Sequence, residues 1–177
     1  TLNVEKAALR LAKLEGLDEE ETLILQTAVL YHDTGYIIND TDNELFAVNL
    51  VKANLPKFGY NESQIQQIIQ IIEATQHNTN NKPSTLLEKI MCDADHDYFG
   101  RADYYAVSKK LRMELENYGK EMTNKEWVIY QLNYLENIHE FYTDTAKNIR
   151  QYGKNLRIQE LKKILKYEEE MEARIQK

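Results

Sequence analysis

Apolar residues recur every three or four positions along nearly the whole chain, and only two prolines and six glycines interrupt them in 177 residues. That spacing repeats with the turn of an α-helix, so each segment offers one stripe to a core and one polar face to water. No stretch alternates with the two-residue period of a half-buried strand. The expected fold class is therefore all-α, a bundle of seven to eight helices in one domain over residues 1–177, with 124–177 a helical extension packed on it. No repeat, linker or second domain is evident.

Helix punctuation divides the chain further. A first helix is expected over about residues 2–14, ending at Gly16. Asp18 with Glu21 three residues on signals the next start. That second helix carries Leu23, Ile24, Leu25, Ala28, Val29, Leu30 and Tyr31, apolar around almost its whole circumference, and is expected to be the buried central helix. A turn at Asn39–Thr41 and a cap at Asp42 precede a third helix to about Asn54, which Pro56 and Gly59 break. A fourth presents Ile65, Ile68, Ile69 and Ile72 inward. The polar stretch TQHNTNNKPS reads as a functional loop. Ser84 starts a fifth helix, ended by Gly100, and a sixth runs to about Tyr118. Thr123 and Glu126 form a capping box for a long helix over about 124–150, which Gly153 separates from a charged terminal helix.

Charge and cysteine content exclude several functions. Twenty-two basic against twenty-nine acidic residues give a net charge of −7, which argues against a nucleic-acid-binding or anionic-membrane surface. The single cysteine, Cys92, rules out a disulfide framework and a thiolate zinc cluster, and a reducing cytoplasm is the expected setting. Its place in an acidic cluster should raise its pKa and make it a poor nucleophile. No apolar run is long enough for a membrane span. A glycine-rich phosphate loop, a GxSxG elbow and a CxxC pair are all missing.

Chemistry concentrates in two places. His32 and Asp33 end the apolar run LILQTAVLYHDTGY, where an imidazole beside a carboxylate supplies two metal-capable groups; the plainer alternative is a solvated pair at a helix end. The second place is CDADHD, three aspartates in five residues, reached directly from the apolar Leu86, Leu87, Ile90 and Met91. Helical spacing sets Asp97 near the apolar stripe and Asp93 and Asp95 on its flanks, so periodicity does not choose between them. One carboxylate from this cluster would complete a nitrogen and oxygen donor set suited to manganese, iron, cobalt, nickel or magnesium, with zinc less diagnostic.

In this order, TLNVEKAA, AVLYHDTGY and then IMCDADHDYFGR, the chain resembles the HD superfamily of metal-dependent phosphohydrolases over about residues 1–105. The resemblance implies an HD-domain or phosphodiesterase-like helical bundle in which a first His, an adjacent His and Asp, and a distant Asp hold a divalent metal ion. It assigns His32 and Asp33 to the pair and favours Asp93 for the distant ligand, with Asp95 as the fallback. The family's first His would fall at or just before Thr1; either it lies upstream or the site is incomplete. His77 stands where the resemblance implies a second-metal ligand or a phosphate contact, and a solvated loop histidine is its alternative.

Around these residues, Arg101 is the candidate phosphate clamp, because a guanidinium pairs two oxygens, with Lys82 a weaker one. His96 shares a face with Asp93 and could orient it. His139 and Tyr142 read as packing residues on the long helix. The expected function is hydrolysis of a small phosphoester, with nucleotides among the candidates: the metal polarises a phosphoryl oxygen and activates a water, Asp33 or a neighbouring carboxylate takes the proton, and Arg101 holds the phosphate. The alternatives are a catalytically silent HD module that binds a nucleotide or a partner protein, and a structural helical domain. The expected partner is a small phosphorylated substrate rather than nucleic acid or membrane, and the long C-terminal helices offer a route to a homodimer.

Overall fold

A computed structural model describes residues 1–37, 43–76 and 82–175, all helix and connecting turn, with no strand among them. The contacts divide the chain into two compact units. One comprises Thr1–Asp97 with the short returning segment Tyr142–Ala146, the other Tyr98–Phe141 with Lys147–Lys177.

The first unit is built on α1 (Leu2–Glu15), α2 (Glu19–Tyr31), α3 (Asn43–Asn54), α4 (Glu62–Glu73) and α5 (Leu86–Asp95). Their starts are chemically specified. Asp18 and Glu21, Asn61 and Gln64, and Thr85 and Glu88 each close a reciprocal capping box that satisfies two otherwise orphaned N–H groups. Gly16 ends α1 in the left-handed conformation, φ 76°, which a residue without Cβ adopts at no steric cost. The expected cap at Asp42 and turn at Asn39–Thr41 lie outside the described residues.

Helix α2 is central, packing against α1, α3, α4 and α5. It is not buried all round, however. Ile24, Leu25, Ala28 and Val29 face the core, whereas Leu23 and Leu30 are about half exposed. In α4 the buried isoleucines are 68, 69, 71 and 72, and Ile65 is only half-buried. Burying one such side chain is worth about 1.5–3 kcal/mol, so this stripe is a main anchor of the unit.

Helix α5 starts one residue later than expected, at the Thr85 cap, and stops at Asp95, with a separate 3-10 turn over Asp97–Gly100. Its first turn rests on Glu88, a buried carboxylate that accepts hydrogen bonds from Ser84 N (2.7 Å), Ser84 Oγ (3.1 Å) and Thr85 N (3.4 Å). Burial by itself would push its pKa up, but the bonds from Ser84 and Thr85 outweigh it and hold the carboxyl below the usual range.

The second unit contains α6 (Tyr104–Asn117), α7 (Asn124–Asn133) and most of α8 (Asp144–Ile175). Here the structure corrects the sequence. The helix capped by Thr123 ends at Asn133, passes through one π-helical turn, Tyr134–Ile138, and breaks; a new helix then runs through Gly153 without interruption. Neither His139 nor Tyr142 is therefore on a long helix. Gly153 allows contact instead of ending a helix, since a Cβ there would overlap the carbonyl oxygen of Gly100, and one on Gly100 would overlap the backbone of Arg150. Close by in sequence, His139 packs edge-on against Phe99 and Phe141, and its carbonyl accepts from the buried Lys154 Nζ at 2.6 Å.

Two outcomes test these anchors. Glu88→Gln should lower stability at pH 7 by about 0.5–2 kcal/mol, the usual worth of a cap. Because the folded pKa is depressed, this contribution is present above the unfolded pKa of about 4.3 and is lost as pH falls through the folded value; urea melts at pH 7 and pH 3 should show the gap between wild type and variant closing in acid. Gly153→Ala should destabilise by about 1–3 kcal/mol through overpacking, although the same change in an open helix would stabilise by about 1 kcal/mol. A rise in melting temperature would overturn the close approach.

Candidate metal centre

The HD turn is built by its neighbours in sequence. His32 caps the C-terminus of α2, its N–H bonding Ala28 O at 2.9 Å. Thr34 Oγ1 donates to Tyr31 O at 2.6 Å, and the chain turns through a 3-10 segment, Thr34–Ile37. Gly35 presses on the start of α3, where a Cβ would overlap the carbonyl oxygen of Asn43. Only glycine allows that approach.

The imidazole of His32 is 2% exposed and is held at Nδ1. Nδ1 lies 2.7 Å from Val29 O; a carbonyl only accepts, so Nδ1 carries the hydrogen and donates it. Nε2 thereby faces the carboxylates, 3.1 Å from Asp33 Oδ2 and 3.6 Å from Asp95 Oδ1. It is buried with no well-aligned hydrogen bond among the described residues. Burial lowers the imidazole pKa, but Asp33 and Asp95 more than reverse this and raise it to about 10.

This environment suits a divalent cation. An imidazole nitrogen and carboxylates are donor types that hard or borderline divalent ions take, and an Nδ1–H to carbonyl bond is the support that ligating imidazoles commonly have. A proton and a metal ion compete for the same lone pair. His32 lies between the two carboxylates, and the described residues contain no group of three or more His, Cys, Asp or Glu side chains converging as a metal cluster.

The aspartate cluster separates into distinct roles. Asp95 approaches His32 and is partly open, with its side chain 25% exposed. Asp93, favoured from the resemblance, is 1% exposed and directed elsewhere: Oδ1 accepts from Tyr142 N at 2.7 Å, and Oδ2 from Thr143 N at 2.8 Å and Thr143 Oγ1 at 2.7 Å. Geometry thus brings together His32, Asp33 and Asp95 and turns Asp93 away from them. Asp97 is buried beyond the end of α5.

The remaining candidates are arranged as follows. His77 lies outside the described residues. His96 donates Nδ1–H to Cys92 O at 3.3 Å, and Lys82 is exposed. Arg101 belongs to the second unit and is paired in two-pronged fashion with Asp103, its Nε 2.8 Å from Oδ1 and its Nη2 on Oδ2, which holds the Asp103 carboxyl below the usual range. In this structure that fork engages a carboxylate. Cys92 donates Sγ–H to Ala74 O at 3.2 Å; burial first, then Asp95, Asp93 and Glu88, push its thiol up to about 12, so it stays protonated. Sequence reasoning missed the contribution of Tyr142 and Thr143, 49 and 50 positions from Asp93, for which no spacing rule exists.

Among family models, that of the HD domain matches residues 1–98. The chain belongs to the HD-domain family. The match spans α1 to α5 and both the His32–Asp33 pair and the aspartate cluster, in the order the motifs require. No curated protein and no solved structure matches the chain significantly. No helix among the described residues of this HD protein is long and apolar enough to cross a membrane.

An ion held only by the folded state stabilises it by mass action, by about 2.7 kcal/mol at a hundred times its Kd. Adding Mn²⁺ to chelator-stripped protein should therefore raise the melting temperature reversibly, and Asp95→Ala should remove most of the rise in differential scanning calorimetry. An equal rise in the variant would exclude Asp95.

Proposed function

We propose that this HD protein is a metal-dependent phosphohydrolase that cleaves a small phosphoester, with nucleotides the first class to test. The observation that carries the reading is the buried His32 imidazole, locked by Val29 O and presenting Nε2 to Asp33 and Asp95. We assign His32, Asp33 and Asp95 as ligands of a divalent ion. A divalent ion in such a site supplies Lewis acidity toward a phosphoryl oxygen and eases deprotonation of the attacking water.

Asp33 is the stronger candidate for handling that proton. Its side chain is 41% exposed, against 25% for Asp95, so it can reach both the ion and a solvent-borne nucleophile. A carboxylate within hydrogen-bond range of the attacking water can accept its proton. His32, buried and held by a backbone carbonyl, orients and does not shuttle. The free Cys92 thiol fits a reducing compartment, and we place the protein in the cytoplasm. The net charge of −7 favours a small substrate over a polyanion.

Asp33→Ala in the full-length protein should lose both bound metal, measured by elemental analysis, and turnover across a panel of nucleoside monophosphates, cyclic nucleotides and simple phosphoesters. A drop of about 10²-fold or more matches the worth of a general base. Full turnover in the variant would sink the mechanism.

A further inference from the structure

Asp93 does not face His32, yet it is the most buried carboxylate of the cluster. It accepts three hydrogen bonds from a segment that sequence places far away: from the N–H groups of Tyr142 and Thr143 and from the Thr143 hydroxyl. The same hydroxyl oxygen accepts from Ala146 N at 3.1 Å, so Thr143 caps the start of α8 while donating its hydrogen to Asp93. A carboxylate at a helix N-terminus meets unsatisfied N–H groups and the positive end of the helix dipole, which makes this a strong, directional clamp. Two residues further along, in the last turn of α5, Asp95 approaches His32 Nε2. The end of α5 is thus held on one side by the 142–146 segment and meets the candidate ligand set on the other.

We propose that Asp93 is a positioning residue for Asp95, and that residues 142–146, beyond the stretch matched by the HD family model, complete the metal-binding unit. The inference rests on the assignment of His32, Asp33 and Asp95 as ligands. Two positions along an α-helix turn a side chain by about 200°, so one carboxylate of α5 can anchor the backbone while the other reaches the site. Without the anchor, the last turn of α5 loses its tie to the 142–146 segment, and the approach of Asp95 is less firmly fixed. Outer partners that orient a metal ligand are worth about 10–100-fold in affinity.

The test is Mn²⁺ titration calorimetry on chelator-stripped full-length protein, with visible spectra of the Co²⁺-loaded form and amide exchange of residues 142 and 143. Asp93→Asn and Thr143→Val should each weaken Mn²⁺ binding about tenfold or more, shift the Co²⁺ absorption band and speed exchange at these amides. Thr143→Ser, which retains the hydroxyl, should bind like wild type. If Asp93→Asn does not fold, Thr143→Val decides. Variants that melt earlier but keep wild-type Mn²⁺ affinity and an unchanged Co²⁺ band below their melting point would show a merely structural clamp and overturn the proposal. Wild-type binding in Asp95→Ala would instead overturn the ligand assignment, and the positioning role would fall with it.

Discussion

A carboxylate with 1% exposure must be satisfied or it destabilises the fold, and Asp93 accepts three hydrogen bonds from chain that arrives about fifty positions later. This requirement shapes the first unit. It draws residues 142–146 onto an assembly otherwise made of the first ninety-seven, and it coincides with the interruption between the π-helical turn at Tyr134–Ile138 and the start of α8. Breaking a helix there would leave N–H groups unpaired, and Asp93 and Thr143 supply their acceptors.

Burial sorts three neighbouring aspartates that look interchangeable on paper. Asp93 is enclosed and hydrogen-bonded, Asp97 is enclosed beyond the helix end, and Asp95 remains partly open beside the imidazole. The division follows from the end of α5 at Asp95. Extending the helix to Gly100, as sequence spacing suggests, would rotate Asp97 onto the stripe of Leu87, Ile90 and Met91. The 3-10 turn at Asp97–Gly100 changes that phase.

The imidazole of His32 is oriented by its own neighbours. Its tautomer follows from one backbone carbonyl, and its surroundings follow from two carboxylates. These same carboxylates raise its pKa against the lowering effect of burial. Cys92 lies in the same negative field, with the opposite consequence: its thiol is kept neutral and inert.

Much was legible in one dimension. Helical periodicity, the capping pairs at Asp18–Glu21 and Thr123–Glu126, and the motif order around His32–Asp33 and the aspartates are local signals, readable because they act over three to five residues or through a shared pattern. Gly153 shows where local reading stops: as a helix breaker it is ambiguous, and only the backbone of Gly100 lying against it reveals its purpose. Arg101 likewise reads as an available fork until Asp103 is found in it. The sequence by itself determined an all-helical chain with an HD pair ending its central helix, because side-chain periodicity and capping are properties of neighbours. Which aspartate meets His32, where the C-terminal helix begins and what Asp93 holds were decided only in tertiary structure, because each depends on burial and on a backbone partner that no local spacing encodes.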